Sequence, residues 1–278
     1  MNRILMQERL KQFFIEDMGN RDVSATSIFP VDVRGTVAFI AKEEGIFCGG
    51  PVIQEGFQLL DATSNVQLRK KEGEVVTKGE TLAVIEAPIH VLLSGERVIL
   101  NLVQRMSGIA TLTHRYVQEI QGTNASIADT RKTAPGLRMF DKYAVRQGGG
   151  KNHRIGLFDA VMLKDNHIAF CGSITKAVEK ARQAVGHTTP IEVEIETKEA
   201  MDEAVRAGAD IIMFDNRTPE EITAWIRDVP SSITTEASGM IQLSNVASYA
   251  QTGVDYISIG ALTHSVRAFD ISAQMMNK

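Results

Sequence analysis

Apolar positions recur at helical spacing near the start of the chain. Over residues 4 to 18, Leu10, Phe13, Phe14 and Met18 fall on one side, which predicts an amphipathic helix. The stretch GNRDVSATSIFP that follows is rich in turn formers and reads as a loop. From about 34 to 93 the pattern turns strand-like, in GTVAFIAKEEGIFCGG, SNVQLRKKEGEVV and TLAVIEAPIHVLL, with KKEGE and TKGE at hairpin tips. A short helix from Pro51 to Leu60 interrupts these strands. The order predicts a first α+β domain.

A long helix is expected over about 95–121, with Ser94 as N-cap and Ile99, Val103, Met106, Ala110, Val117 and Ile120 toward the core. Arg97 would then hold the N3 position, where a capping box places Glu or Gln. A cation there opposes the helix dipole, with Glu96 beside it as compensation. The sharper reading is that Arg97 and the helix N-terminus act together on an anion.

Beyond residue 125 short apolar runs alternate with helical patterns. Candidate strands are 125–129, 160–164, 191–195, 210–214, 233–237 and 255–260, and the later ones recur every 20 to 30 residues. That rhythm predicts βα units and a parallel sheet, either open or closed as a barrel. Gly186, Gly208 and Gly253 sit where helix-ending glycines belong, and Thr218-Pro219-Glu220-Glu221 reads as a capping box with proline at N1. Nearly every strand ends in polar residues: Asp129 to Lys132, Lys164 to Asn166, Glu194 and Glu196, Asp215-Asn216, Glu236 with Ser238-Gly239, and Gly260 with His264. In a (β/α) barrel such ends converge on one mouth, where the active site lies, which favours the barrel. Glu196 and Asp165 are expected only to cap loops or helices, whereas Glu194 shares with Glu192 one face of a buried strand.

Charge sharpens this picture. The chain of 278 residues carries a net charge of −4, which argues against general nucleic-acid binding. Residues 129–167 nevertheless hold eight basic side chains against four acidic, a local balance of +4. Cations packed beside apolar runs are costly unless an anion neutralises them, so this stretch reads as a pocket for a small polyanion. Arg138, Lys142 and Arg146, spaced by four, are assigned instead to a solvated helix face. Two cysteines, Cys48 and Cys171, form no disulfide framework or metal motif, and the expected location is the cytoplasm. The charged start MNRILMQERLKQFFIEDM is no signal peptide, and no window approaches the roughly 20 apolar residues of a membrane span.

The segment DTRKTAPGLRMFDKYAVRQGGGKNHRIGLFDAVMLKDNHI resembles the signature of the quinolinate phosphoribosyltransferases, also called nicotinate-nucleotide pyrophosphorylases. The resemblance extends through LSGERVILNLVQRMSGIAT, IEVEIET, AGADIIMFDN, EASG and TGVDYISIGALTHS, covering most of residues 94–271. It implies an N-terminal α+β sandwich domain (1–103 with a returning segment 266–278) and an incomplete (β/α) barrel of six to seven parallel strands (104–265). It implies a pentosyltransferase that joins quinolinate to phosphoribosyl pyrophosphate and releases pyrophosphate and carbon dioxide. The product, nicotinate mononucleotide, feeds NAD biosynthesis. Mg²⁺ is the implied cofactor, and the implied assembly is a homodimer, in some members a higher assembly such as a hexamer.

By the same resemblance Thr130, Arg131, Lys132, His153, Arg154 and Lys164 line the quinolinate pocket, and Arg97 completes it from the partner subunit. Glu194 and Asp215 match carboxylates near the ribose hydroxyls and Mg²⁺, and with Lys132 are the implied catalytic residues. Ser238, Gly239, Met240, Ile259, Gly260, Ala261 and His264 match phosphate and pyrophosphate contacts, alongside Lys132. Met240 departs from the pattern, since the family commonly has Gly or Asn there. Two rivals are a relative of the same fold acting on another substrate and a non-catalytic metabolite-binding barrel. Retention of TRKT, NHR and KDNH argues against the first, and Glu194 and Asp215 against the second.

Overall fold

The computed structural model describes residues 1–276; the last two residues of the expected returning segment lie outside the described residues. Its strands in chain order are β1 (Arg34–Ala41), β2 (Gly45–Ile46), β3 (Asn65–Leu68), β4 (Val75–Val76), β5 (Thr81–Pro88), β6 (Ser126–Ala128), β7 (Val161–Leu163), β8 (Ile191–Ile195), β9 (Ile211–Asp215), β10 (Thr234–Ser238), β11 (Tyr256–Ser258) and β12 (Ile271–Met275). The chain divides into two compact units. The first joins Met1–His114, Thr133–Gly149 and the chain from Ser265 on; the second joins Arg115–Lys132 and Gly150–His264. Among the described residues no helix is long and apolar enough to cross a membrane.

In the first unit four strands form a sheet in the order β12-β1-β5-β3, with β12 antiparallel to β1. The helices Arg3–Met18 and Gly50–Leu60 pack together, with Leu10, Phe14, Val52, Ile53 and Phe57 buried. Helix Arg138–Gln147 also belongs here, and Phe140 meets Phe13 at 6.2 Å between ring centroids. Five expectations give way in this unit. Residues 19–30 are not all loop: Val23–Ile28 is helical, because Asp22 Oδ1 accepts the Ala25 N–H at 2.9 Å. The long helix runs Ile89–Glu119 and starts directly after the strand that ends at Pro88. A short apolar run such as PIHVLL cannot be assigned to strand or helix by periodicity alone. Ser94 is therefore no N-cap; its hydroxyl donates to Asp22 Oδ2 at 2.8 Å, and Arg97 stands two turns inside the helix. The proposed pairing of Arg97 with the helix N-terminus falls with it. Finally, Lys142 is 4% exposed and buried, not part of a solvated face.

The second unit is the parallel sheet that the rhythm predicts. Its order is β6-β11-β10-β9-β8-β7. Consecutive strands from β7 to β11 are neighbours, and β11 returns to β6, so the strands wrap as a barrel that stays open between β6 and β7. Beside that seam Lys151 makes a parallel bridge to Ala128. The helices between have the expected ends, with Thr218 and Glu221 forming a reciprocal capping box and Gly208 left-handed at φ 76°. Gly186 is not a left-handed cap; Val185 closes that helix in extended conformation. In β8, Ile191, Val193 and Ile195 are buried on one face, which leaves Glu192 and Glu194 on the other.

Candidate active site

The polar strand ends come together around a cavity of about 520 Å³. Thr130, Arg131, Lys132, His153, Arg154 and Lys164 line it, as do Glu194, Asp215, Ser238, Gly239 and Met240. Those eleven expected residues reach it from different strands and loops because parallel strands place their C-terminal ends at one mouth.

The turn Asn152-His153-Arg154 is built on Asp129, which is fully buried just past β6. Asp129 accepts the Asn152 side-chain amide at 2.7 Å and the His153 backbone N–H at 2.9 Å. Asp159 closes the loop by accepting the Gly156 N–H at 2.9 Å. Arg154 Nη1 donates to the Ala160 carbonyl at 3.2 Å. The Nε atoms of Arg131 and Arg154 are buried and have no hydrogen-bond partner. Burial, and then the Arg131 charge, push the Arg154 guanidinium below its usual value. Two guanidinium groups held side by side and half buried are matched to a ligand with more than one negative charge.

Across the mouth Lys164 Nζ meets Glu194 Oε2 at 2.5 Å. Asp215 accepts from the Asn216 side-chain amide at 2.7 Å, and burial, followed by the Glu194 charge, raises its pKa. These two carboxylates, on adjacent strands β8 and β9, are hard oxygen donors with one already balanced by a lysine. Such a donor set fits Mg²⁺, which leans on few protein oxygens and on substrate phosphates.

Gly239 has φ 91°, and a Cβ there would meet the side chain of Asn216 and come within 2.9 Å of its backbone N. Only glycine fits this close crossing of two loops. Met240 follows at φ 51° and is 77% exposed. Gly and Asn tolerate such a left-handed backbone better than methionine does. Ile259, Gly260, Ala261 and His264 do not line the cavity directly. Ile259 is buried and its N–H donates to the Ala128 carbonyl at 2.9 Å. Gly260 instead faces Lys132: a Cβ there would lie 3.1 Å from Lys132 Cδ and 3.1 Å from His264 Cδ2. The Thr263 hydroxyl donates to the Lys132 carbonyl at 2.9 Å, so this turn braces the lysine. Arg97 lies in the first unit, exposed, in a shallow cleft with Glu16, Asp17 and Asn101.

Met162, Met213, Asn216 and Ser258 also line the cavity and were not expected as site residues. Period-two alternation could have found three of them, because Met162, Met213 and Ser258 stand two residues before Lys164, Asp215 and Gly260. Asn216 has φ 53°, which the sequence signals only through the tolerance of asparagine for that region.

Comparison with known proteins agrees over the full chain. The family model for the quinolinate phosphoribosyl transferase C-terminal domain matches residues 109–274, and that for the N-terminal domain matches residues 22–107. A probable nicotinate-nucleotide pyrophosphorylase [carboxylating] of Bacillus subtilis is 52% identical over 98% of this chain and 94% of its own length. The nicotinate-nucleotide pyrophosphorylase [carboxylating] of Mycobacterium leprae is 38% identical over 91% of each. The crystal structure of NadC from Streptococcus pyogenes superposes with a TM-score of 0.94 at 39% identity, covering 100% of this chain and 99% of the other.

Proposed function

From the premise that this chain belongs to the quinolinate phosphoribosyltransferase family, we propose that it transfers the phosphoribosyl group of phosphoribosyl pyrophosphate to quinolinate. The transfer is coupled to decarboxylation and yields nicotinate mononucleotide, pyrophosphate and carbon dioxide for NAD biosynthesis. The observation that carries the reading is the pair of half-buried arginines, Arg131 and Arg154, each with an unpartnered Nε in a cavity walled by Glu194 and Asp215. A pyridine with adjacent carboxylates supplies acceptors for those donors. A simple anion site gains nothing from the two acids.

Arg131, Arg154, Lys164 and Thr130 bind and orient quinolinate so that its ring nitrogen faces the anomeric carbon. Ser238 and Gly239 offer the 5′-phosphate backbone and hydroxyl donors in a turn whose glycine permits close approach. The bond from the anomeric carbon to pyrophosphate breaks as the ring nitrogen bonds to that carbon. Positive charge develops on the ribose, and Glu194 and Asp215 stabilise it, while Lys132, braced by Thr263, receives the departing pyrophosphate. The pyridinium then takes up the electron pair released when the neighbouring carboxylate leaves as carbon dioxide, and protonation of the ring carbon completes the product. Positioning and electrostatics supply the acceleration. Glu194 and Asp215 would hold Mg²⁺, which neutralises pyrophosphate charge when bound.

The active assembly is a homodimer in the cytoplasm, with Arg97 completing the neighbouring subunit's quinolinate pocket. Carbon dioxide release from carboxyl-labelled quinolinate, dependent on phosphoribosyl pyrophosphate and Mg²⁺, is the expected activity. Release with a monocarboxylate analogue but not with quinolinate would refute it.

A further inference from the structure

Below the mouth, the barrel interior holds a second cavity of about 540 Å³ near the open seam, and His153 and Arg154 line both cavities. Its wall carries two carboxylates that the reaction does not use: Glu192 on β8, 1% exposed, and Glu236 on β10, 4% exposed. Two acids buried under a pocket for a dianion need a physical reason, because burial of unpaired carboxylates is costly.

His153 supplies it. Its Nε2 lies 3.1 Å from Glu192 Oε2 and 3.5 Å from Glu236 Oε1. Its Nδ1 accepts the backbone N–H of Arg154 at 2.8 Å. A ring nitrogen that accepts carries no hydrogen, so the neutral ring bears its hydrogen on Nε2 and donates it downward. The three groups also have a spacing that could hold a metal, with candidate ligand atoms all within 4.8 Å of one another. Metal at Nε2 would require the hydrogen on Nδ1, where the Arg154 N–H already points. The tautomer therefore favours a triad in which His153 donates to Glu192 beside Glu236 over a metal site.

We propose that Glu192 and Glu236 are positioning residues for the quinolinate pocket: Glu192 accepts the Nε2–H of His153 from below, Glu236 flanks that contact at 3.5 Å, and together they fix the ring and, through Nδ1, the backbone from which Arg154 enters the pocket. Asp129 holds the same turn from its other side through the His153 N–H. Glu192 also stands near enough to Arg154 to favour its charged form. The Glu236 Oε1 atom is buried and lacks a hydrogen-bond partner. Burial, then the Glu192 charge, push its carboxyl up to about 7, against the opposing pull of His153 and the Ser258 hydroxyl, with Asp129 adding a small further rise. A carboxyl that carries a proton near neutrality opposes a bound dianion less than a carboxylate does. Its charge appears as pH rises through that value, so quinolinate binding weakens on the alkaline side.

The inference rests on quinolinate as substrate, and the test separates the two. In Glu192→Ala the KM for quinolinate should rise roughly tenfold, the scale of one lost hydrogen bond to a charged group. The KM for phosphoribosyl pyrophosphate should stay within about twofold by the same reasoning, because that substrate does not depend on the His153 turn. Glu192→Gln should recover most of the loss, since its amide oxygen still accepts from Nε2–H. In the wild type the KM for quinolinate should climb between pH 6 and 8, and Glu236→Gln should flatten that climb. Nitrogen-15 NMR of the wild-type histidines should show one ring locked with hydrogen on Nε2, and Glu192→Ala should release it. That spectrum does not depend on the substrate, so a locked ring without quinolinate turnover refutes the function and leaves the triad. It also decides the matter if Glu192→Ala fails to fold. A wild-type His153 with hydrogen on Nδ1, equal rises in both KM values, or a stoichiometric divalent metal lost in Glu236→Gln would overturn the inference.

Discussion

Replacing Arg154 by alanine separates a substrate-binding arginine from a structural one. The guanidinium is half buried beside Arg131, its Nε has no partner, and its Nη1 donates to the Ala160 carbonyl at 3.2 Å. Burial and the neighbouring Arg131 both weigh against its charge, so the unliganded protein gains little from it. Its return comes when a carboxylate arrives. A hydrogen bond to a charged group contributes about 1.5–3 kcal/mol, and leaving a substrate carboxylate without its donor loses that much. At 1.4 kcal/mol per decade the apparent constant for quinolinate rises about 10- to 150-fold. The constant for phosphoribosyl pyrophosphate should change by less than about threefold, because uniform binding of the other substrate is untouched. Initial rates of carbon dioxide release against each substrate measure both, and calorimetric binding of quinolinate checks the first. The melting temperature should hold within about 2 °C, on the order of 1 kcal/mol for a chain of this size. Arg154→Lys keeps the charge without the fork and should recover only part of the loss. Equal rises for both substrates, or a melting temperature that falls well beyond that margin, would refute the reasoning.

Other variants probe the rest of the site. Gly239→Ala places a Cβ within 2.9 Å of the Asn216 backbone at φ 91°, and should destabilise by about 1–3 kcal/mol while raising the constant for phosphoribosyl pyrophosphate; an unchanged protein would remove the close crossing. Met240→Gly relieves a left-handed backbone at an exposed residue, so stability should hold or rise by up to about 1 kcal/mol in urea unfolding; a clear loss would show that the Met240 side chain is needed. Asp141→Ala strips the bidentate partner from Arg105, which it binds at 2.8 Å through both oxygens, and should cost about 3–5 kcal/mol; a loss under about 1 kcal/mol would place that pair among the weak ones. Chelation with EDTA should abolish turnover, and Glu194→Gln or Asp215→Asn should raise the Mg²⁺ needed to restore it; activity indifferent to Mg²⁺ would remove the cation from the site. Mixing inactive Arg97→Ala and Lys132→Ala subunits should restore activity through hybrid dimers, and no recovery from mixed, exchanged subunits would count against a shared pocket.

The sequence alone determined the kind of protein this is. Alternation within IEVEI put Glu192 and Glu194 on one face, the strand rhythm gave six parallel strands, and the motifs from Asp129 to His167 carried the family. These are local signals, and a residue's neighbours in sequence suffice to set them. Where a run could belong to either element, as in PIHVLL before Ser94, the same signals failed, because the helix start at Ile89 follows from the sheet that ends at Pro88. Lys142, on a face that spacing called solvated, is buried, since spacing shows which residues share a face but not what covers it. Only the tertiary structure decided what Glu192 and Glu236 do. They are 44 residues apart in sequence, and both meet one nitrogen of His153 only because two strands and the turn beside the open seam converge. A hydrogen bond between distant segments leaves no period in the chain, so the partner of His153, and with it the ring's tautomer, had to be read from the fold.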